Sequence, residues 1–255
     1  KPNPAIILGW NPFLYVYNWS NGKGKAWDKI VKSIGVEPVV YDADMVDASI
    51  ENMMDRLTYL GYYGSEIESV INVKKKNVSV SYNITLGKRF PIKDIEIALP
   101  SEGTFADDFL ADTSAMTIKI GDYLSEDILE NETVRASASL RNMGYYEFSK
   151  NNFFFEADTL TYPDSAILKM TINGYTRNEA PERTRPICKF TFNEVSISYP
   201  QTLNVREKIL KELTTIRPGE TYSTDVVNNT YTRLSSLRMF SSVNIQMDQK
   251  DTNTV

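Results

Sequence analysis

The chain has 255 residues, 42% of them hydrophobic, which is enough apolar surface for one core or for two or three small ones. Its net charge of −5 argues against a nucleic-acid partner, which normally needs a basic face. With no histidine and one cysteine, the sequence excludes Ser-His-Asp and Cys-His catalysis, zinc sites built on histidine or on cysteine alone, and an internal disulfide. Carboxylate chemistry or a hard-cation site remains possible on these grounds, and with no motif for either we expect no metal, no cofactor and no enzymatic activity.

The first clear helix is predicted from Asp44, because its apolar residues are spaced 4, 3, 4 and 3 positions apart, as on one face of an α-helix: Val46, Ile50, Met53, Leu57 and Leu60. Two strand-like runs follow, Ile67 to Val73 and Val78 to Leu86. The second run alternates apolar and polar residues, which is typical of a strand with one buried face. The lysine-rich segment between the runs predicts a hairpin.

A second block follows the same order. A strand is predicted over 91–99, a short helix over 106–116, and a longer helix after Ser125, which is a good N-cap. The apolar face of the longer helix repeats the earlier spacing exactly 83 residues later, at Leu129, Thr133, Ala136, Leu140 and Met143. Two further strands are expected over 152–157 and 166–172.

A third block begins after a charged stretch at 173–186, which reads as a linker because it contains proline and lacks periodicity. We predict a strand over 190–199, a short helix over 205–213 and a longer helix that ends near Leu237. This helix is four residues shorter than its counterpart, close to one turn of about 3.6 residues, so its buried face keeps its phase. A strand is expected to start at 243–247.

One short sequence motif, called the phrase below, occurs twice and then a third time in altered form. Leu57-Thr58-Tyr59-Leu60-Gly61-Tyr62-Tyr63 recurs as Leu140-Arg141-Asn142-Met143-Gly144-Tyr145-Tyr146. In the third block Arg238 stands in place of the glycine and Phe240 in place of the last tyrosine. Because glycine favours the left-handed position just past a helix, the phrase predicts a helix end followed by a return to the sheet. The arginine predicts a less sharp end for the third helix.

Each block has the order strand, helix, helix, strand and strand in about 80 residues. Gly-acid-x-x-Ser precedes the second helix, and the glycine-tyrosine phrase ends it. This pattern resembles the POTRA domain. POTRA, the polypeptide-transport-associated module, forms the periplasmic part of outer-membrane assembly proteins of the BamA and TamA type. The opening residues, Lys1-Pro2-Asn3 and Tyr17-Asn18, are similar to the TamA-like lipoproteins of Bacteroidetes.

The resemblance implies an α+β fold of tandem units, each a βααββ three-stranded mixed sheet covered on one face by two helices. The expected units span 1–86, 87–174 and 188–255, with a linker at 175–187 that acts as a hinge. The first strand of the first unit is expected either at Ala5 to Leu8 or upstream of Lys1, and the last strand of the third unit is expected to be incomplete.

The resemblance also implies a function. The chain is expected to be a periplasmic scaffold that receives unfolded outer-membrane clients and docks an envelope partner, with a β-barrel following Val255. In this fold the last strand lies in the middle of the sheet, so the edge strands keep free backbone groups that can accept another strand. The POTRA module of a two-partner secretion transporter is the alternative within this class.

The predicted client-binding edges are the second strand of each unit: Ile67, Val70 and Ile71; Asn152, Phe153, Phe154 and Phe155; Val243, Asn244 and Ile245. Neighbouring side chains on a strand point to opposite faces, so the three phenylalanines cannot all lie under the helices. Either they form a client-binding edge or they pack against a neighbouring domain. A carboxylate-based hydrolase or sugar-binding repeat is the hypothesis from another class, and it requires paired acids in a cleft.

Overall fold

The computed structural model describes residues 12–17, 19, 25–37, 39–75, 77–101, 103–177, 180–200, 206–249 and 254–255. The helices are α1 Pro12–Tyr17, α2 Lys25–Ile34, α3 Ala43–Tyr59, α4 Phe105–Asp112, α5 Glu126–Asn142, α6 Glu207–Leu213 and α7 Thr224–Ser236. The strands are β1 Glu66–Lys74, β2 Asn77–Thr85, β3 Ile92–Ala98, β4 Phe153–Asp158, β5 Ala166–Ile172, β6 Tyr175–Arg177 and β7 Ala180–Arg185. These residues form two compact bodies, one from residues up to 55 together with 66–85, the other from 56–65 and 86–255.

The first body contains α1, α2, most of α3 and the hairpin of β1 and β2. The two strands pair antiparallel from Glu66 opposite Thr85 to Lys74 opposite Asn77, so the predicted hairpin is confirmed. Lys75 in the turn has a φ of 58°, the left-handed conformation that a tight hairpin turn needs. The candidate first strand at 5–8 lies outside the described residues.

The second body contains a three-stranded mixed sheet in the order β3-β5-β4. β5 is last in sequence and central in space, with β3 parallel on one side and β4 antiparallel on the other. This is the predicted βααββ arrangement, and it makes β3 and β4 the two edges of the sheet.

Helices α4 and α5 cover one face of this sheet because both are amphipathic. The side chain of Ser125 accepts a hydrogen bond from the backbone N–H of Ile128 at 3.4 Å, so the predicted N-cap of α5 is confirmed. The core between helices and sheet is fully buried and largely aromatic: Phe105, Leu140, Tyr145, Phe148 and Met170. Burying such a core is the main term that holds the sheet against the helices.

The repeated phrase places a left-handed residue after its helix at all three sites. Gly61 and Gly144 have φ values of 84° and 111°, and Arg238 adopts the same region at 51°. The N–H groups of Tyr62 and Tyr145 also donate back to the carbonyls of Leu57 and Leu140, at 2.9 and 3.1 Å. Met239 makes no such bond to Leu234 in the described structure, so the less sharp end expected for the third helix is confirmed in this respect. The backbone keeps the turn even where the residue has a Cβ, at a cost of about 1–2 kcal/mol.

The last tyrosine of the phrase has a second role. The ring of Tyr63 lies 5.9 Å from that of Phe90, and the ring of Tyr146 lies 5.5 Å from that of Phe190. Phe90 lies just before β3, the first strand of the second repeat. Phe190 lies at the start of the extended segment that begins the third repeat. In addition, the N–H of Phe190 donates to the carbonyl of Gly144 at 2.9 Å. The phrase therefore forms a joint onto the next repeat as well as a helix end.

The segment predicted as a linker contains the hairpin of β6 and β7. Its end is also fixed to the second repeat, since Ile187 is buried in the core around Phe105 and the Arg185 guanidinium bonds the Glu147 carboxylate at 2.8 Å. The two strands of this hairpin were not predicted, because a polar hairpin with proline lacks the apolar alternation by which strands are recognised. The repeat boundaries and the hinge stay predictions.

In the third repeat α7 has 13 residues against 17 in α5, which confirms the four-residue difference. The predicted strands over 190–199 and 243–247 are wrong as hydrogen-bonded strands. Neither segment is part of a ladder in the described structure, and Thr191 in the first makes isolated bridges to Thr221 and Thr254.

Candidate functional site: an open sheet edge beside a groove

The outer edge of β4 is the part of the second sheet best placed to accept another strand. β4 pairs with β5 from Phe153 opposite Ile172 to Asp158 opposite Ile167, and no other described strand pairs with it. The backbone groups that point away from β5 are therefore directed outward. A sheet edge of this kind is a template for strand addition.

The hydrogen-bond pattern shows which backbone groups these are. The N–H of Asn173 donates to the carbonyl of Asn152 at 2.8 Å, so this pair is a hydrogen-bonded one. Antiparallel ladders alternate, so Phe154 and Glu156 also bond toward β5, whereas Phe153, Phe155 and Ala157 direct their backbone groups outward. The N–H of Phe153 donates to the carbonyl of Lys150 instead. The edge thus offers the N–H and C=O of Phe155 and Ala157.

The start of β4 is held in place by Asn152, which is buried. Its side-chain amide donates to the carbonyl of Asn173 at 2.9 Å, and its side-chain oxygen accepts from the backbone N–H of Ser149 at 3.0 Å. These bonds fix the entry of the chain into the strand. The edge is consequently presented in one defined register.

The three phenylalanines are divided between the faces of the sheet, as the pleat requires. The rings of Phe153 and Phe155 are stacked with centroids 6.2 Å apart, and Phe153 also packs at 5.5 Å on Phe148 of the core. Phe154 lies on the opposite face and is 52% exposed. Two of the three rings therefore pack at the margin of the unit's own core, and Phe154 lies exposed on the opposite face.

A groove of about 360 Å³ lies between β4 and α5. Its apolar part comes from the rings of Phe153 and Phe155 and from Leu129, and its rim carries Glu130 and Lys150, whose charged atoms lie 3.9 Å apart. The hydroxyl of Tyr59 donates to the carboxylate of Glu130 at 3.1 Å, which raises the pKa of Tyr59. The groove has room for side chains of a strand added at the edge.

The groove residues on α5 were not predicted as site residues, although a sequence signal was present. From the N-cap at Ser125, positions 126, 129, 130 and 133 follow the i, i+3, i+4 and i+7 spacing of one helix face. Leu129 and Thr133 of that stripe were assigned to the buried face, and Glu126 and Glu130 were not assigned a role. In the structure the stripe also forms the wall that faces the strand edge.

The other predicted edges lie elsewhere. Ile67, Val70 and Ile71 are on β1, where Val70 and Ile71 are 41% and 44% exposed. Val243, Asn244 and Ile245 lie in an extended segment of the third repeat without strand pairing. The three candidate edges therefore belong to three separate repeats.

The buried acids of the second repeat are neutralised in a network. The guanidinium of Arg135 bonds the carboxylates of Asp112 and Glu132 at 2.8 and 2.6 Å, and Glu132 also accepts from Thr117. These carboxylates hold α4 and α5 together. A hydrolase would instead need two acids that converge on an open cleft.

In the described part of the chain, no cluster of three or more acidic or cysteine side chains is arranged to hold a metal ion. A search of the same residues for a helix long and apolar enough to cross a bilayer also finds none.

One family model matches part of the chain. Residues 28–87 match the model of POTRA, described as surface antigen variable number repeat. This segment contains α3, β1, β2 and the first copy of the glycine-tyrosine phrase. The second repeat carries the same phrase and the complete βααββ order. No protein of curated function matches the chain.

Solved structures of POTRA domains match the chain at low sequence identity. POTRA domains 3–5 of BamA from Haemophilus influenzae are 13% identical with a TM-score of 0.47, and the match covers 86% of this chain and 80% of that one. The N-terminal domain of Omp85 from Thermosynechococcus elongatus is 12% identical with a TM-score of 0.28, covering 89% and 87%. POTRA domains 1–2 of the periplasmic domain of Omp85 from Anabaena are 8% identical with a TM-score of 0.37, covering 65% and 92%.

Proposed function

We propose that the chain is a periplasmic binding scaffold of an outer-membrane β-barrel protein and that it receives unfolded outer-membrane clients by strand addition at β4. The observation that carries the proposal is the open edge of β4 beside the groove of α5. Main-chain hydrogen bonds from Phe155 and Ala157 would give affinity with little dependence on sequence, which suits a protein with many clients. The groove would select alternate apolar side chains of the added strand.

The wider assembly belongs to the same proposal. In it a covalently continuous β-barrel follows Val255, an envelope partner protein docks on the array, and the protein belongs to the TamA-like lipoprotein branch that its opening residues resemble. The POTRA match at 28–87 supports the class of protein, and the similar solved structures are those of BamA and Omp85 proteins. Nothing specific in the groove favours two-partner secretion over barrel assembly.

The test uses a proline at the edge. Ala157→Pro removes an outward N–H but no hydrogen bond to β5, and proline is accepted on an edge strand when its missing N–H faces solvent. Photo-cross-linking of the full chain to a ten-residue amphipathic strand peptide should fall at least tenfold in this variant. Ala157→Val keeps the N–H and should cross-link like the wild type.

Two further results make the test decisive. The far-UV circular dichroism of Ala157→Pro should match that of the wild type, which shows that the sheet is intact. Charge reversal at Lys74 and Lys75, on the hairpin tip of the first repeat, should leave cross-linking unchanged. Equal cross-linking by the proline and valine variants would contradict strand addition at β4.

A further inference from the structure

Arg89 is a half-buried cation in the segment that leads into β3. Its guanidinium carbon lies 4.2 Å from the centroid of the Tyr123 ring and 4.9 Å from the centroid of the Tyr62 ring. Each ring attracts the cation through its π face, so two rings together restrict the side chain. The structure therefore presents this guanidinium in a defined position.

The backbone on both sides of Arg89 is held by hydrogen bonds. Lys88 exchanges two N–H to carbonyl bonds with Tyr63, at 2.9 and 3.0 Å. The carbonyl of Phe90 accepts from the N–H of Leu124 at 2.8 Å. Phe90 packs on the buried core of the second repeat, and neighbouring residues of an extended segment point to opposite faces. Arg89 therefore lies on the outer face of the joint between the phrase and the second repeat.

The N–H groups of this guanidinium are unused in the described structure. The Nε atom of Arg89 is buried without a hydrogen-bond partner, and its side chain makes no hydrogen bond or ion pair with a described residue. The Nε atom of Arg141 is buried in the same way, but its Nη2 donates to the Tyr222 hydroxyl at 3.3 Å. Because buried donors are normally paired, a fixed guanidinium with no bond at all points to an acceptor from another molecule.

The charged groups next to Arg89 along the chain are already engaged. The Lys88 ammonium bonds the Asp164 carboxylate at 2.7 Å. The carboxylate of Asp122, in the turn that carries one of the two rings, accepts from the backbone N–H of Lys119 at 2.9 Å. Arg89 is thus the cation of segment 87–90 that has no carboxylate partner.

We propose that the Arg89 guanidinium, with the rings of Tyr62 and Tyr123, binds one carboxylate of another polypeptide, supplied by an aspartate or glutamate side chain. The planar fork of a guanidinium matches the two oxygens of a carboxylate and forms two parallel hydrogen bonds with it. The Tyr123 ring is 47% exposed and offers apolar surface to the residue beside the acid. The ligand is therefore an acidic segment that also carries apolar side chains.

The charges around the site favour a carboxylate over a phosphate. A phosphate group carries about two negative charges near pH 7, and surfaces that bind anionic lipids gather several cations, whereas this site has one. Asp94 and Glu96 are exposed farther along β3, and the chain has a net charge of −5. Both features repel a doubly charged ligand more strongly than a singly charged one.

The Arg89 site is separate from the edge of β4. Arg89 precedes β3, and β5 lies between β3 and β4 in the sheet. A partner that places a carboxylate on Arg89 leaves the outer edge of β4 open. The inference therefore goes beyond strand addition and does not rest on it.

The probe is the blocked tripeptide acetyl-Leu-Glu-Leu-amide, and acetyl-Leu-Gln-Leu-amide is the control that keeps its shape and loses its charge. Each is titrated into the full chain while the Nε–Hε NMR signal of Arg89 is followed. The glutamate peptide should shift this signal to saturation, at a concentration about fivefold lower than the glutamine peptide requires. Inorganic phosphate, the third probe, should bind more weakly than the glutamate peptide.

Two lysine variants test the residue, with the backbone amide of Tyr123 as the signal. Arg89→Lys keeps the charge and loses the planar fork, so the affinity for the glutamate peptide should fall about fivefold. Arg56→Lys is the matched control, because Arg56 lies 4.8 Å from the centroid of the Tyr59 ring but is exposed. This variant should bind the glutamate peptide like the wild type.

Equal affinity for the two peptides, equal effects of the two lysine variants, or shifts that never saturate would overturn the proposal. Tighter binding of inorganic phosphate than of the glutamate peptide would overturn the assignment of a carboxylate ligand. These readouts are separate from cross-linking at β4, so the two proposals can fail independently.

Discussion

Gly61, in the first copy of the repeated phrase, is predicted to be much more sensitive to a Cβ than its neighbour Gly64. Both have left-handed φ values, 84° and 72°. A Cβ on Gly61 would lie 2.1 Å from the carbonyl oxygen of Leu124 and 3.1 Å from the Cβ of Ser125, whereas a Cβ on Gly64 would meet nothing within 4 Å. The two alanine variants therefore share the backbone strain and differ in the contact.

The strain should cost each variant about 1–2 kcal/mol, offset by about 0.4–1 kcal/mol because alanine restricts the unfolded chain. Gly64→Ala should thus lower the free energy of unfolding by about 1 kcal/mol. Gly61→Ala should lower the free energy of unfolding by about 1–3 kcal/mol more than that, since the backbone at the N-cap of α5 must shift to admit the methyl group.

Urea unfolding followed by far-UV circular dichroism measures both variants under one condition. Equal losses of stability in Gly61→Ala and Gly64→Ala would refute the close approach of the phrase to the start of α5. A larger loss in Gly64→Ala would refute it as well.

Three further predictions concern stability. Arg238→Gly should raise the free energy of unfolding by about 1 kcal/mol in urea, because glycine removes the strain of a left-handed residue. Arg135→Leu should lower it by about 3–5 kcal/mol, since Asp112 and Glu132 would be left buried without their cation, and Arg135→Lys should lower it less. Asp108 is partly desolvated, but its bonds to the Lys189 ammonium at 2.7 Å and the Tyr145 hydroxyl at 2.6 Å hold the pKa of its carboxyl below the usual value. Its stabilisation is therefore present above about pH 4 and lost as the pH falls through the lowered pKa, so Asp108→Asn should cost about 1–2 kcal/mol at pH 7 and little near pH 2.

The helices of the repeats could be predicted because their signals are local. The spacing of Val46, Ile50 and Met53 predicted α3, and Ser125 with the apolar face behind it predicted α5. Only one of the two roles of the phrase was predicted: the glycine indicated the helix end but not the contact with the next repeat. The packing of Tyr63 and Tyr146 on the next repeat depends on residues far along the chain, which no local pattern shows.

The strands were predictable only where a partner completes the sheet. β4 and β5 formed as expected, but 190–199 and 243–247 have the same alternation without a ladder. Alternation reports which side chains face the core, and pairing depends on a third segment. The client-binding edge was predicted from Phe153, Phe154 and Phe155 because a pleated strand cannot bury all three rings on one side. Phe154 is exposed on one face, and Phe153 and Phe155 line the groove on the other.

The central claim is that a client strand adds to the outer edge of β4, and amide exchange of β4 tests it most directly. When an amphipathic strand peptide is bound to the full chain, NMR-detected exchange should slow at least tenfold at Phe155 and Ala157, whose N–H groups point outward. It should change little at Phe154 and Glu156, which already bond β5. Uniform slowing along β4, or protection confined to Phe154 and Glu156, would contradict the account.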